Sequence, residues 1–536
     1  MSGTVKTYGL QKGLPKKVDS ICPECGKVIE AEYYDKDGKV YAKKTCPEHG
    51  EFDSLIWSDT AMYLKAEEYA VDGIGIEDPS DPAKDVTIKI GDRDVKLNTS
   101  TILANVDLTN RCNMTCPICF AEANSSGYVY EPDYETIVKM LEMLRSQKPT
   151  KCPAVQFSGG EPTIHPRFFD IIKKAKELGF SQIQVASNGL SFRDIEFCKK
   201  AVEAHLHTIY LSFDGVTDDV YIQARARKMF HVKKQVLENL RSLPKHPSVV
   251  LVPTVVKGMN DKQLGDIVKF AFENSDIVRG VNFQPVAFTG RITAEELERG
   301  RFTIPDLVKG FNEQTGWTRD EDWFGVPSVA AVSNFASQVM GKNKVTFTVH
   351  PHCGIATYLY KGDDGKVTPI TRFIDVHKFM AGIEELTKKV EKKRFKFTKK
   401  LTAIKAIKIF ENCIIESELP EGMTKDDLMK LLKSLFLDDS KETLAKFSWK
   451  MMFIGGMHFQ DSYNYDIGRV SHCGIHYATP DMRVIPFCAY NSGPEYRKEI
   501  ESKYSIPLDE WKAQHKKEAK DLEDALIVPE DQKPDQ

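Results

Sequence analysis

The run Asn110-Arg111-Cys112-Asn113-Met114-Thr115-Cys116-Pro117-Ile118-Cys119-Phe120-Ala121 constrains this chain more than any other stretch. Three cysteines spaced C-x3-C-x2-C, on a loop after a strand, can hold three irons of a cubane cluster. The fourth iron then lacks a protein ligand and stays open. A structural metal site closes its coordination sphere, so an incomplete one implies chemistry at the open position. Further along, Ser158-Gly159-Gly160-Glu161-Pro162-Thr163 ends another apolar run.

Length and charge narrow the setting. A chain of 536 residues is expected to make about two to four domains with material for large cores. Its 74 Lys+Arg against 77 Asp+Glu give no global pull toward nucleic acid, and no nucleic-acid partner is expected. No apolar run approaches the roughly 18 residues of a membrane span; Met451-Met452-Phe453-Ile454 soon meets Gly455-Gly456. The opening MSGTVKTYGLQKG lacks the apolar core of a signal peptide. Twelve cysteines in such a chain read as metal ligands or reduced thiols rather than a disulfide framework. The expectation is a cytoplasmic protein of a reducing, anaerobic cell.

Residues 1–70 hold a first metal pattern. Cys22-Pro23-Glu24-Cys25-Gly26 is a knuckle whose glycine permits a tight turn, and Cys46-Pro47-Glu48-His49-Gly50 supplies a second. Between them, alternating stretches flank a turn at Asp35-Lys36-Asp37-Gly38, as in a hairpin. The C-x2-C-x20-C-x2-H pattern closes a tetrahedral site of three thiolates and one imidazole. It resembles a zinc ribbon or a rubredoxin-type site, for mononuclear zinc or iron. Residues 71–100, rich in Gly, Asp and Pro, read as a linker.

From 101 to 330 strand-like and helix-like runs alternate. Strands are expected at 104–108, 154–158, 181–187, 208–213, 249–256 and 281–285. Amphipathic helices are expected at 134–144, 167–178, 194–204 and 262–272. Six β-α repeats imply an α/β fold with a parallel sheet and helices outside, a partial (β/α)6 barrel. Ligands in such sheets sit at the carboxyl ends of strands, where the cysteine loop and the GGEP loop both fall.

Together the two motifs closely resemble the radical S-adenosylmethionine (SAM) superfamily. The resemblance implies that Cys112, Cys116 and Cys119 ligate a catalytic [4Fe–4S] cluster whose open iron chelates SAM. It also implies that Gly159, Gly160 and Glu161 meet the SAM amino group. Ser187-Asn188-Gly189 and Ser212-Phe213-Asp214-Gly215, at later strand ends, extend that cofactor site through Ser187, Asn188, Ser212 and Asp214; as sequences alone they are ordinary turns. One departure stands out. The family usually has an aromatic residue just before the third cysteine, where this chain has Ile118, with Phe120 following instead.

The phrases His352-Cys353-Gly354-Ile355 and His472-Cys473-Gly474-Ile475 repeat in residues 331–510, and Cys488 closes a later run. They resemble an auxiliary iron–sulfur domain. Cys353, Cys473 and Cys488, with Cys413 as the fourth, would complete a second [4Fe–4S] cluster. Cys413 lies on an expected helix, where a buried structural thiol is the rival reading. Cys198 and Cys152 read as structural. Residues 511–536 form a charged tail.

Between Lys388 and Lys408 basic residues crowd around a single acid, Glu391, and Leu401, Ile404, Ile407 and Phe410 recur at helical spacing. Such a stretch suggests an anionic membrane surface as partner; a solvated helix face is the plainer alternative. The Met-rich runs 450–453 and 456–459 read as a greasy channel or as ordinary core.

The layout of knuckle pair, barrel and auxiliary cysteines is similar to the archaeal tetraether lipid synthases and their relatives. That resemblance implies a radical enzyme joining terminal methyl carbons of archaeal isoprenoid diether lipids, supplied by a low-potential electron donor. A radical SAM methyltransferase acting on a pterin precursor is the alternative, and a non-catalytic iron–sulfur electron carrier is a third reading.

Overall fold

The computed structural model describes residues 5–119, 121–289, 300–340, 344–392, 399–436 and 451–534. Four antiparallel strands in sequence order open the chain: β1 (Lys16–Ile21), β2 (Val28–Lys36), β3 (Lys39–Cys46) and β4 (Gly50–Trp57). The β2–β3 turn carries positive φ at both Asp37 (54°) and Gly38 (74°), the backbone a tight type I′ hairpin needs. Along β3, Val40, Ala42, Lys44 and Cys46 are buried between more exposed neighbours. Tyr33, Val40, Ala42 and Trp57 join the same apolar core as the central sheet, so the module is packed onto the barrel.

The central sheet follows the predicted order. Strands β5 (Leu103–Thr109), β6 (Ala154–Gly159), β7 (Gln182–Ser187), β8 (Thr208–Ser212), β9 (Ser248–Val252) and β10 (Val278–Pro285) run parallel, each beside the next. Helices α1 (Tyr134–Ser146), α2 (Phe168–Glu177) and α3 (Ile195–Glu203) follow β5, β6 and β7. Between β8 and β9, where the repeat implied a helix without placing it, lie two, α4 (Asp218–Arg225) and α5 (Phe230–Arg241); α6 (Leu264–Glu273) then precedes β10. Alternate strand residues such as Val106, Val155, Phe157, Ile183, Val185 and Ile209 are fully buried with Ile137, Leu141, Leu144 and Ile171 from the helices. Each such large apolar side chain contributes about 1.5–3 kcal/mol on burial. The other alternate positions carry Asn105, Gln156, Ser158 and Asn282, which face a cavity. The architecture is an α/β partial barrel with an N-terminal cysteine-rich module.

The C-terminal region adds β11 (Gly354–Lys361), β12 (Met451–Met457), β13 (Ile475–Ala478) and β14 (Val484–Pro486). β12 pairs parallel with β10 at one edge, and β13 pairs parallel with β5 at the other. Residues 458–474 therefore connect the two edges of the six-stranded array; Cys353 and Cys473 stand just before β11 and β13, and Cys488 just after β14. Residues 496–520 do not form one continuous helix. Ser505–Pro507 pairs with Tyr128–Tyr130, because Pro507 has no N–H for a continuing helix.

The apolar positions of the basic stretch do not form one face. In the helix Lys399–Glu411, Ile407 and Phe410 are buried while Leu401 and Ile404 are exposed. Steps of three residues precess backward around a 3.6-residue turn, so four of them spread across half the helix. Phe120, Lys393, Arg394, Lys396 and Lys450 lie outside the described residues. Of the Met-rich runs, Met452 is core, whereas Met457 and Phe459 line the cavity. Among the described residues no helix is long and apolar enough to cross a membrane.

Candidate active site

Loops at the carboxyl ends of β5 to β8 converge on one cavity of about 290 Å³. Cys112, Cys116 and Cys119 line it, together with Gly159, Gly160, Glu161, Ser187, Asn188 and Ser212. Asn124 holds the cysteine loop. Its Oδ1 accepts from the Cys112 amide at 3.0 Å, and its Nδ2 donates to the carbonyls of Cys112 (2.6 Å) and Met114 (3.2 Å). Arg225 Nη1 donates to the Ile118 carbonyl at 3.1 Å, and the guanidinium also hydrogen-bonds Cys116. Burial pushes the Cys112 and Cys116 thiols above their ordinary range, with the nearby Glu161 carboxylate adding to the effect at Cys112. Deprotonating them becomes favourable beside a strongly cationic centre. Three soft sulfurs facing one cavity, with no fourth described cysteine lining it, fit an iron–sulfur cluster with an open position.

The glycines of the GGEP loop answer to a neighbour as well as to a ligand. A Cβ at Gly159, whose φ is 125°, would stand 2.2 Å from the Thr109 carbonyl oxygen. One at Gly160 would stand 2.2 Å from that of Arg111. Gly160 N–H donates to Thr109 O (2.8 Å) and Glu161 N–H to Arg111 O (2.9 Å). The loop thus lies directly on the backbone that leads into the cysteines.

Glu161 is almost fully buried. Its Oε1 accepts from the hydroxyls of Thr163 (2.5 Å) and Ser187 (2.9 Å), and Oε2 from the Asn188 amide (2.8 Å). Burial raises its pKa against the pull of these donors. Asn188 Nδ2 donates to Asn113 Oδ1 at 2.7 Å, tying the end of β7 to the cysteine loop.

Asp214, expected as a cofactor contact, is placed otherwise. It is fully buried and accepts from Arg225 Nε (2.7 Å) and Nη2 (2.8 Å). A buried carboxylate needs a charged partner, and α4 supplies one. Two buried cations beside the site were not singled out from the sequence. Arg225 is one; burial opposes its charge, but Asp214 and Cys116 more than offset this and raise its pKa. Lys233 is the other. Its Nζ donates to the Asn188 carbonyl (2.5 Å), and burial lowers its pKa to about 8. The available signal was a lysine on the apolar face of α5, beside Val232, Val236 and Leu237.

In the N-terminal module the ligand atoms of Cys22, Cys25, Cys46 and His49 lie within 4.8 Å of one another. Cys25 Sγ to Cys46 Sγ is 3.9 Å, and His49 Nδ1 stands 3.5 Å from Cys46 Sγ and 3.8 Å from Cys22 Sγ. A tetrahedron with bonds of about 2.3 Å has edges near 3.8 Å, so the four donors fit a mononuclear metal. The hydrogen bond from His49 is the main cause drawing the Cys46 thiol down to about 6.

Cys353, Cys473 and Cys488 gather at a third place. Burial, then the mutual influence of Cys488 and Cys353, raises the Cys473 pKa, and burial pushes Cys488 up to about 11. Arg469 hydrogen-bonds Cys353, and the Gln460 amide donates to Cys488 Sγ at 3.4 Å. Cys413 does not join them. Its Sγ donates to Ile409 O at 3.1 Å inside a separate apolar cluster with Phe373, Ile407, Phe410 and Met423; it lies in the turn just after the helix Lys399–Glu411. Cys152 and Cys198 are also fully buried and bond backbone carbonyls of Ala154 and Phe192.

Comparison with known proteins agrees with this geometry. The family described as Radical SAM superfamily matches residues 106–271, and the HMPTM N-terminal zinc ribbon domain matches residues 14–58. A 7,8-dihydro-6-hydroxymethylpterin dimethyltransferase of Methanocaldococcus jannaschii is 44% identical over 94% of this chain and 98% of its own. A GTP 3',8-cyclase of Chlorobaculum tepidum is 24% identical over 43% of this chain and 70% of its own. Streptococcus suis SuiB bound to precursor peptide SuiA superposes with a TM-score of 0.32 at 14% identity, over 40% of this chain and 46% of that one. The expectation of an isoprenoid lipid substrate and a membrane partner is overturned, because the relative that spans nearly the whole chain is named for a pterin.

Proposed function

The chain belongs to the radical SAM superfamily, in the family of the M. jannaschii dimethyltransferase, and from that premise we propose that it is a radical SAM methyltransferase acting on a pterin precursor. The observation that carries this reading is 44% identity to that enzyme across 98% of its length. A compact cavity with amide and hydroxyl side chains on its wall supports it, since a small heterocycle needs hydrogen-bonding partners inside an otherwise apolar site.

In this proposal Cys112, Cys116 and Cys119 hold a [4Fe–4S] cluster, and SAM occupies the cavity beside Gly159, Gly160, Glu161, Ser187, Asn188 and Ser212. The cluster and SAM together supply one-electron cleavage of the sulfonium and hydrogen-atom abstraction from carbon. The chain's own residues do the positioning. Glu161 fixes the ends of β6 and β7 against each other, and Asn113 with Asn188 sets the cysteine loop against β7. Arg225, oriented by Asp214, places positive charge beside Cys116. Lys233 holds its proton at Nζ toward the Asn188 carbonyl, keeping that loop closed. Cys22, Cys25, Cys46 and His49 hold a mononuclear zinc or iron, and Cys353, Cys473 and Cys488 hold an auxiliary cluster. A low-potential donor supplies electrons.

The test is anaerobic incubation of iron-reconstituted protein with SAM, a reductant and 7,8-dihydro-6-hydroxymethylpterin, read by mass spectrometry. Products heavier by one and two methylene units, with 5′-deoxyadenosine, are expected. Deoxyadenosine with an unaltered pterin would sink the assignment.

A further inference from the structure

The inner wall of the barrel carries polar side chains at positions where a sheet buried on both faces ordinarily carries aliphatic ones. Gln156 stands in register with Asn105 on β5 and Gln184 on β7. Gln184 Nε2 donates to Gln156 Oε1 at 2.8 Å, and Gln156 Nε2 donates to Asn105 Oδ1 at 3.0 Å. Asn105 also hydrogen-bonds Tyr477. A carboxamide offers two N–H donors and two lone pairs. The ladder consumes only one donor and one lone pair of Gln156, and Gln156 and Asn105 line the cavity.

On the far edge of the six-stranded array, β10 presents Asn282 and Gln284 to the same cavity. Neither side chain has a hydrogen-bond partner among the described residues, and Asn282 is only 7% exposed. Asn282 is buried and Gln284 half-buried, and both line the cavity. Both carboxamides are therefore free to bond a ligand in the cavity. Leu103, Val252 and Ile475 supply apolar wall beside the amides, which suits the faces of a flat ring.

Resting on the function proposed above, we infer that Asn105, Gln156, Asn282 and Gln284 form the recognition strip for the hydrogen-bonding edge of a pterin-class heterocycle. A fused pyrimidinone alternates N–H donors with carbonyl and imine acceptors, and carboxamides match both without carrying charge. A saturated hydrocarbon in the same space would give Asn282 and Gln284 no hydrogen-bond partner.

The test is an anaerobic fluorescence titration of 7,8-dihydro-6-hydroxymethylpterin into the SAM-loaded, iron-reconstituted protein. Wild type is compared with Gln156→Leu, Asn282→Leu and Gln284→Leu. Gln156→Leu also cuts a ladder that braces three strands; Asn282→Leu and Gln284→Leu cut none, so they keep the test valid if the first variant fails to fold. SAM affinity and melting temperature report that a variant is intact. The expected result is pterin affinity weakened tenfold or more in intact variants, with SAM affinity within twofold of wild type. Wild-type pterin binding that both β10 variants retain within twofold would overturn the strip and leave the proposed function standing. A wild type that binds SAM but no pterin would overturn both.

Discussion

Asp214 grips Arg225 through two hydrogen bonds of 2.7 and 2.8 Å, and Arg225 passes that orientation to the cysteine loop through the Ile118 carbonyl. A carboxylate at the end of β8 thereby sets a guanidinium beside Cys116 without touching the cavity itself.

Asp214→Asn leaves Arg225 buried beside a neutral partner. Breaking one side of a buried ion pair costs about 3–5 kcal/mol. Denaturant unfolding is expected to show that loss, with iron per chain reduced on reconstitution. A loss under about 1 kcal/mol with full iron would mean the pair does not organise the loop.

Gly160→Ala places a methyl group 2.2 Å from the Arg111 carbonyl oxygen, so one of the two loops must shift. SAM affinity is expected to fall at least tenfold in isothermal titration. Unchanged affinity would show that the two loops can part without disturbing the cofactor end.

Cys413→Ala and Cys473→Ala separate a structural thiol from a candidate ligand. The first is expected to keep wild-type iron and lose about 1–2 kcal/mol of stability from the apolar cluster around Phe410. The second is expected to lower iron per chain. Equal iron loss in both variants would contradict the placement of Cys413.

Cys46→Ser removes one corner of the N-terminal tetrahedron. Elemental analysis is expected to show loss of the mononuclear metal while iron at the barrel persists, because the two sites share no ligand. Loss of every metal together would mean that the module's metal is needed to fold the barrel.

Asp461 gives a pH signature. Its carboxylate meets Arg301 at 2.6 and 3.1 Å. Burial works to raise its pKa, but the guanidinium outweighs this and holds it below the ordinary value. A depressed carboxylate contributes stability above its unfolded pKa of about 3.9 and loses it as pH falls through the folded value. The stability gap between wild type and Asp461→Asn is expected to be widest near neutrality and to close below about pH 4. A gap unchanged down to pH 3 would refute the assignment.

Chemistry that depends on local spacing was legible in the chain. Cysteines with only three and two residues between them share one loop however the rest folds, so Cys112, Cys116 and Cys119 meet, as do the paired knuckles of Cys22, Cys25, Cys46 and His49. Alternating apolar runs gave the six parallel strands in order, since helix and strand periods are properties of the segment. The substrate was not legible, because a fold's motifs describe how a radical is made and not what it attacks; the resemblance pointed to a lipid and the full-length relative to a pterin.

What only the tertiary structure decided is which distant residues meet. Asp214 found Arg225 in place of a cofactor, because α4, whose position the sequence did not give, brings Arg225 to the end of β8. Cys413 was drawn into an apolar cluster away from the other C-terminal cysteines, because the turn after the helix Lys399–Glu411 packs there. Asn105, Gln156, Asn282 and Gln284 came to line one cavity only because strands far apart in sequence curve around it. Such encounters depend on the summed packing of the whole core, and no local pattern carries that information.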